Sequence, residues 1–154
     1  MIKIQKYHPN ESMNNELQKE VVNFLYKSLE QYGDPEGDIN KAVNYALNKN
    51  NEKDKTTGGL VLTARLEEND AIVGAVVINE TGMGGYIPEN ILVYIATDPN
   101  QRGKGIGKKL MQEALESSNG DVALHVEPDN PAKRLYENLG FTNKYLEMRY
   151  KKTI

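Results

Sequence analysis

A glycine-rich, basic stretch at residues 98–108 (DPNQRGKGIGK) has the residue types and spacing to bind a diphosphate. It follows an apolar run that predicts a buried strand, and it leads into a segment with the apolar periodicity of a helix. A helix N-terminus has free backbone N–H groups and a positive dipole end, so it attracts phosphate. Glycines let the backbone approach the anion with no Cβ in the way, and three basic side chains add positive charge.

Three glycine-loop patterns compete for this stretch. A P-loop requires Ser or Thr after its Gly-Lys pair, and Lys109 stands there instead. A dinucleotide-binding Gly-x-Gly-x-x-Gly loop requires its third glycine at position 108, which is a lysine. The third pattern, Gln/Arg-x-x-Gly-x-Gly/Ala, is matched in full by residues 102–107 (RGKGIG). With this pattern the stretch resembles the pyrophosphate loop of the GNAT superfamily of N-acetyltransferases.

A second segment, residues 130–141 (NPAKRLYENLGF), resembles the Asn…Leu-Tyr…Gly-Phe segment near the C-terminus of the same superfamily. It follows the glycine loop by one predicted helix and one predicted strand, which is the order in the superfamily. The motifs cover about residues 91–141, and the matching order of elements extends the resemblance to the whole chain. Residues 8–58 resemble nothing specific.

The resemblance implies an α/β fold with a mixed, mostly antiparallel central sheet of six to seven strands, flanked by about four helices. Its central strand is splayed from a neighbour, and acetyl-CoA lies in the gap. The exposed backbone of that strand would pair with the pantetheine arm, the glycine loop would hold the diphosphate, and Asn130 would bond the pantetheine or sulfur end. The implied acetyl-CoA contacts are Ile95, Ala96, Thr97, Arg102, Gly103, Lys104, Gly105, Ile106, Gly107, Lys108, Asn130 and Tyr136.

Acetyl transfer to an amine requires a base for the amine proton, a fixed N–H facing the thioester oxygen, and a proton for the departing thiolate. The resemblance assigns the last role, that of general acid, to Tyr136, whose helical spacing is also typical of a core residue. Many members carry a glutamate base on the central strand, but residues 93–95 (VYI) provide no carboxylate. Glu89, just before the strand, is the expected base. Glu80 and Glu127 are alternatives at the ends of the neighbouring strands.

The acceptor amine is expected to be recognised by the two N-terminal helices and by loops 31–38 and 80–90. These loops are acidic and aromatic, and Tyr32, Asp34 and Tyr86 are the expected substrate contacts. Such side chains suit a cationic primary amine on a small molecule or peptide, for example a polyamine, an amino sugar, an amino acid or a peptide terminus. The resemblance implies direct attack by this amine in a ternary complex.

Apolar periodicity divides the chain into the elements that position these residues. The predicted strands are residues 2–7, 59–66, 71–79, 91–96, 122–126 and 145–151, the last of which closes the sheet. The strand at 91–96 is apolar throughout and is predicted to lie in the middle of the sheet. The predicted helices carry apolar positions at residues 17–32, 39–47, 106–115 and 132–139, and Asn10 or Ser12 can cap the first. The polar residues 48–58 predict a loop. A single mixed α/β domain over residues 1–154 is expected.

The composition limits the class of protein. With 154 residues, 38% hydrophobic and 27% charged, the chain fits one globular domain, and a net charge of −3 gives no basic surplus for nucleic acid. The absence of cysteine and the wide separation of the two histidines argue against a metal site. No apolar run is long enough to span a bilayer, and the N-terminus has no signal core. A cytoplasmic protein, monomeric or homodimeric, is therefore expected.

Two other classes of function stay open at this point. A non-catalytic acyl-CoA-binding module would share the fold; the missing strand carboxylate favours it, and the retained Tyr136 and complete loop oppose it. A nucleotide-binding oxidoreductase would need the missing third glycine. Assays of acetyl transfer to a panel of amines distinguish a binding module from an acetyltransferase. A comparison of NAD binding with CoA binding distinguishes an oxidoreductase from an acetyltransferase.

Overall fold

A five-stranded sheet forms the middle layer of the protein, and helices pack on both of its faces. The computed structural model describes residues 1–10, 13–49 and 58–153. Its strands are β1 (Ile2–Tyr7), β2 (Gly59–Leu66), β3 (Ile72–Glu80), β4 (Asn90–Thr97) and β5 (Val122–Leu124). Its helices are α1 (Asn15–Leu29), α2 (Glu36–Leu47), α3 (Ile106–Ser117) and α4 (Ala132–Asn138), with 3-10 turns at Glu30–Tyr32 and Pro99–Gln101.

The strands lie in the order β1-β2-β3-β4-β5. The first four are antiparallel to their neighbours, whereas β5 is parallel to β4. The predicted mixed, mostly antiparallel sheet is therefore confirmed, with five strands rather than six to seven in the described residues. β4 has a strand on each side as predicted, but it lies next to the edge of the sheet rather than in its middle.

The prediction of a strand at residues 145–151 is wrong. Residues 141–153 form no helix or strand. The side chains of Tyr145, Leu146, Met148 and Tyr150 are 80–90% exposed. Alternating apolar and polar residues allow a strand, but they do not supply the neighbouring strand with which it must pair. The sheet ends instead at β5, which pairs over only three residues and is shorter than the predicted 122–126.

Each face of the sheet has its own hydrophobic core. The α1/α2 core contains fully buried Leu25 and Ile39 from the helices and Val77 from the sheet. The α3/α4 core contains fully buried Leu110 and, from the sheet, Val76. Each large apolar side chain contributes about 1.5–3 kcal/mol on full burial. The predicted helical periodicity is confirmed, because the helices bury side chains at the apolar positions that the sequence pattern identified.

The ends of α1 differ from the sequence-based expectation. Asn14, not Asn10, caps the helix, because its side-chain oxygen accepts a hydrogen bond of 2.7 Å from the N–H of Leu17. The other predicted cap, Ser12, and most of the predicted loop 48–58 lie outside the described residues. Glu30 has φ of 55°, which ends the helix and starts the 3-10 turn. The 3-10 turn therefore separates α1 from α2.

A β-bulge at Val93 changes the faces on which the side chains of β4 point. Val77 of β3 pairs with Tyr94 and the next residue, Ile78, pairs with Leu92, so Val93 is the extra residue. In a regular strand, residues two apart share a face. Here Leu92 packs in the α3/α4 core, while Tyr94 packs in the α1/α2 core.

Candidate active site

The second half of β4 has an open edge. The parallel pairing of β4 with β5 covers Asn90 to Leu92 and ends there. Within the described residues, no strand pairs with that edge beyond Leu92, although β3 pairs with β4 as far as Thr97. Backbone N–H and C=O groups of an edge strand are available to an extended partner. The resemblance implies a splayed strand at this place, and the structure shows an open edge there, along which residues 95–97 lie.

The glycine loop connects this open edge to the N-terminus of α3. Gly103 and Gly105 have φ of 83° and 78°, a left-handed conformation that favours glycine. A Cβ added to either residue would meet nothing within 4 Å, so the surface in front of both is open. Gly105 immediately precedes α3, and helix geometry leaves the N–H groups of Ile106 and Lys108 without intrahelical partners. This arrangement suits the diphosphate of acetyl-CoA.

Gly107 has a different structural reason to be glycine. A Cβ at this position would lie 3.5 Å from the side chain of Thr97 and 3.6 Å from that of Leu135. These are ordinary contact distances, so Gly107 lies where the end of β4, the start of α3 and α4 meet. The three glycines of the motif therefore divide into two that leave an open surface and one that lies at a junction.

The basic side chains of the loop do not all point the same way. Arg102 Nη2 lies 3.9 Å from Glu30 Oε1, so this guanidinium is directed towards the end of α1. Lys104 Nζ donates a hydrogen bond of 2.8 Å to Gln101 Oε1 and stays within the loop. Lys108, in the first turn of α3, is exposed. Lys104 and Lys108 are therefore the cations beside the open glycines, and Arg102 links the loop to the neighbouring helix.

Asn130 and Tyr136 belong to the segment around α4. Asn130 Oδ1 accepts a 2.9 Å hydrogen bond from the N–H of Ala132, which leaves its amide N–H₂ for other partners. Tyr136 is 7% exposed, and its ring contacts Phe141 edge-on at 6.0 Å between centroids. Burial raises the pKa of Tyr136 to about 12, so the hydroxyl stays protonated. Across the described chain, no group hydrogen-bonds to this hydroxyl, which is free to donate to a ligand.

Glu89 is not brought to these residues. It immediately precedes β4, whereas the glycine loop follows the other end of a strand of eight residues, about 26 Å away. Its carboxylate accepts a 2.8 Å hydrogen bond from the N–H of Asp121, and that bond lowers the pKa of Glu89. Glu80 pairs with Asn90 and so lies at the same distant end of β4. Glu127 follows β5 and is exposed.

Of the three expected acceptor residues, Asp34 contacts the open part of β4 and Tyr32 contacts the segment before α4. The Tyr94 hydroxyl donates a 2.5 Å hydrogen bond to Asp34 Oδ2, and the Tyr32 hydroxyl donates one of 3.3 Å to the carbonyl of Asp129. Burial, followed by the hydrogen bond to Asp34, raises the pKa of Tyr94 above its ordinary value. Tyr86 is 78% exposed in the loop before β4, at the other end of the strand. Sequence reasoning missed Tyr94, whose direction depends on the bulge.

Neither a metal centre nor a membrane span is found in the described ranges. Among residues 1–10, 13–49 and 58–153, no group of three or more His, Cys, Asp or Glu side chains is placed to hold a metal ion. The helices in the same ranges are too short or too polar to cross a bilayer.

The family of the chain follows from comparison with known sequences. The profile of the acetyltransferase (GNAT) domain matches residues 59–143, more than half of the chain, and the protein belongs to this family. The matched region runs from β2 to just beyond α4 and contains the open edge of β4, the glycine loop and Tyr136. The resemblance drawn from the two sequence motifs is thereby confirmed.

Individual relatives agree with this family but differ in how much they share. The N-alpha-acetyltransferase RimI of Mycobacterium tuberculosis (strain ATCC 25618 / H37Rv) is 41% identical over 58 residues, which are 36% of this chain and 37% of that protein. A ribosomal-protein-alanine N-acetyltransferase from Brucella melitensis biovar Abortus 2308 superposes with a TM-score of 0.64 at 19% identity, over 99% of both chains. The aminoglycoside N-acetyltransferase AAC(6')-Iy, in complex with CoA, superposes with a TM-score of 0.67 at 16% identity, over 100% of this chain and 96% of that one. The two structures confirm the fold.

Proposed function

We propose that this protein transfers the acetyl group of acetyl-CoA to a primary amine of a small molecule or peptide, by direct attack in a ternary complex. The observation that carries the proposal is the junction of three features at one end of β4. These are the open strand edge, the left-handed glycines at the start of α3, and the unpartnered hydroxyl of the buried Tyr136.

The residues present fit acetyl-CoA. The open surface in front of Gly103 and Gly105 accommodates phosphate oxygens, which a Cβ would obstruct. The open backbone of residues 95–97 can pair with the amides of a pantetheine arm, and the free amide of Asn130 lies in the segment that follows β5. When bound, acetyl-CoA supplies an acyl group that is activated as a thioester.

The chain's own groups supply the rest of the chemistry. A backbone N–H in residues 95–97 would face the thioester oxygen, on which negative charge increases during attack. The Tyr136 hydroxyl would donate a hydrogen bond to the departing sulfur. An amine protonated at neutral pH must lose a proton before it can attack, so a base is also needed near the acceptor.

CoA and acetyl-CoA are expected to stabilise the folded protein, while NAD is not. A ligand that binds only the native state at about 100 times its Kd raises the free energy of unfolding by about 2.7 kcal/mol. Thermal unfolding should be followed with each ligand at equal concentration. Equal or greater stabilisation by NAD would overturn the assignment and favour the nucleotide-binding alternative.

Turnover is tested with acetyl-CoA and a panel that contains spermidine, glucosamine and a hexapeptide with a free N-terminal alanine. Release of free thiol and the mass of the acetylated amine should be measured together, because thiol release alone also results from hydrolysis. Acetylation of at least one amine is the expected result. Tight CoA binding without acetylation of any amine in an extended panel would instead identify a non-catalytic acyl-CoA-binding module.

A further inference from the structure

We infer that Asp34, held over β4 by the hydroxyl of Tyr94, binds the ammonium group of the acceptor and takes the proton that this group loses. The inference rests on the proposed acetyl transfer and identifies its acceptor as an amine that is cationic at neutral pH. Asp34 would then be a catalytic residue, and Tyr94, which acts through it, a positioning residue.

The position of the loop that carries Asp34 is the first support. Glu30 lies 3.9 Å from Arg102 of the glycine loop, and the hydroxyl of Tyr32 donates to the carbonyl of Asp129, which precedes α4. Asp34 itself is held by β4. The segment 30–34 is therefore anchored to the glycine loop, to the residues before α4 and to the part of β4 that has an open edge.

The bulge at Val93 is the second support. It turns Tyr94 towards α1 and α2, so that its ring is buried and its hydroxyl reaches Asp34 Oδ2 at 2.5 Å. A residue two positions earlier, Leu92, points to the opposite face. The raised pKa of Tyr94 keeps its hydroxyl protonated, so the hydroxyl can donate a hydrogen bond to the carboxylate across the usual pH range.

The charge on Asp34 is the third support. Glu30 and Asp38, on either side of the loop, each lie 3.9 Å from a cation, Arg102 and Lys41 respectively. Asp34 accepts a hydrogen bond from a neutral hydroxyl instead, and no cation among the described residues forms an ion pair with it. Its side chain is exposed, and its second oxygen is available to a ligand. The structure thus provides, from the loop, the carboxylate that β4 itself lacks.

The chemical step balances with these groups. The bound ammonium passes one proton to the Asp34 carboxylate, from which it reaches solvent, and the nitrogen gains a lone pair. That lone pair forms the C–N bond to the acetyl carbon, and the C–S bond breaks with its electron pair on sulfur. The second proton lost by nitrogen balances the proton taken up by the thiolate.

The test compares Asp34→Asn with the wild-type protein, using the best amine from the panel. Asparagine keeps the size of the side chain and can still accept from Tyr94, so only the charge and basicity are lost. We expect kcat/KM for the amine to fall by about 100-fold or more, as for loss of a general base. The Kd of the same amine for the protein–CoA complex, in which no transfer occurs, should rise by about 10-fold, and the Kd of CoA should stay unchanged.

Control variants separate this role from a structural one. Asp121→Asn makes the same change at the other end of β4 and should leave kcat/KM within about twofold, as expected of an exposed charge. Tyr94→Phe should raise the amine Kd by only about 3- to 10-fold, as for loss of a hydrogen bond. In the Asp34→Asn background, Tyr94→Phe should have no further effect on the amine Kd.

The outcomes distinguish the inference from the proposed function. If the wild-type protein acetylates an amine and Asp34→Asn matches it in kcat/KM and amine Kd, the inference is wrong and the proposed function stands. If Asp34→Asn lowers the melting temperature and weakens CoA binding as much as amine binding, Asp34 only anchors the loop and the inference is again wrong. If the wild-type protein acetylates no amine, the proposed function itself fails.

Discussion

Replacement of Gly105 with aspartate is expected to weaken CoA binding by at least about 100-fold, while the protein without ligand still folds. Gly105 has φ of 78°, which aspartate and asparagine tolerate better than other side chains do. A Cβ there meets nothing within 4 Å, so the new side chain would extend into the open space that we propose for the phosphate. At about 4 Å and an effective dielectric constant of 20, two like charges repel by about 4 kcal/mol, more than a 100-fold loss requires.

The matched control is Gly105→Asn, which has nearly the same shape without the charge. It should weaken CoA binding less than aspartate does, and the difference between the two variants measures repulsion of the phosphate. Calorimetry with CoA gives both affinities, and thermal unfolding without ligand checks the fold. An unchanged CoA affinity in a folded Gly105→Asp protein would show that the diphosphate binds elsewhere.

The fold was predictable from the sequence where local pattern and burial agree. The apolar positions of α3, at Ile106, Leu110 and Ala114, are all buried as their spacing predicted. The strands at residues 2–7 and 59–66 have the predicted bounds. In these elements the periodicity of the sequence is itself the physical cause, because each apolar stripe must be covered by another element.

The tail and the acceptor site were not predictable in the same way. Whether residues 145–151 pair depends on how the chain after α4 is directed relative to an edge of the sheet, which no local pattern specifies. The meeting of Asp34 with Tyr94 joins residues 60 positions apart, and it requires both a bulge at Val93 and a helix that ends at Leu29. Neither signal is visible in residue types, since valine and leucine are ordinary strand and helix residues.

Tyr136→Phe is expected to lower kcat by about 10- to 150-fold and to leave the Kd of CoA unchanged. A hydrogen bond to a charged group contributes about 1.5–3 kcal/mol, and here the charge arises on sulfur only as the C–S bond breaks. The pKa of about 12 that burial gives Tyr136 exceeds the value of about 8.5 usual for a thiol. Complete proton transfer to the thiolate is therefore uphill, so we expect Tyr136 to act mainly as a hydrogen-bond donor, with solvent supplying the proton.

The direction of this pKa shift also predicts the pH dependence. The donor must be protonated, and a pKa raised to about 12 keeps it so throughout the usual assay range. Activity should rise as the acceptor amine loses its proton, and no fall due to Tyr136 should occur below about pH 11.

Phenylalanine at position 136 keeps the ring and its contact with Phe141, so the fold should persist. Tyr26→Phe, at an exposed position on α1, provides the matched control. A loss in kcat below about threefold, in a folded Tyr136→Phe protein, would show that this tyrosine serves the core alone.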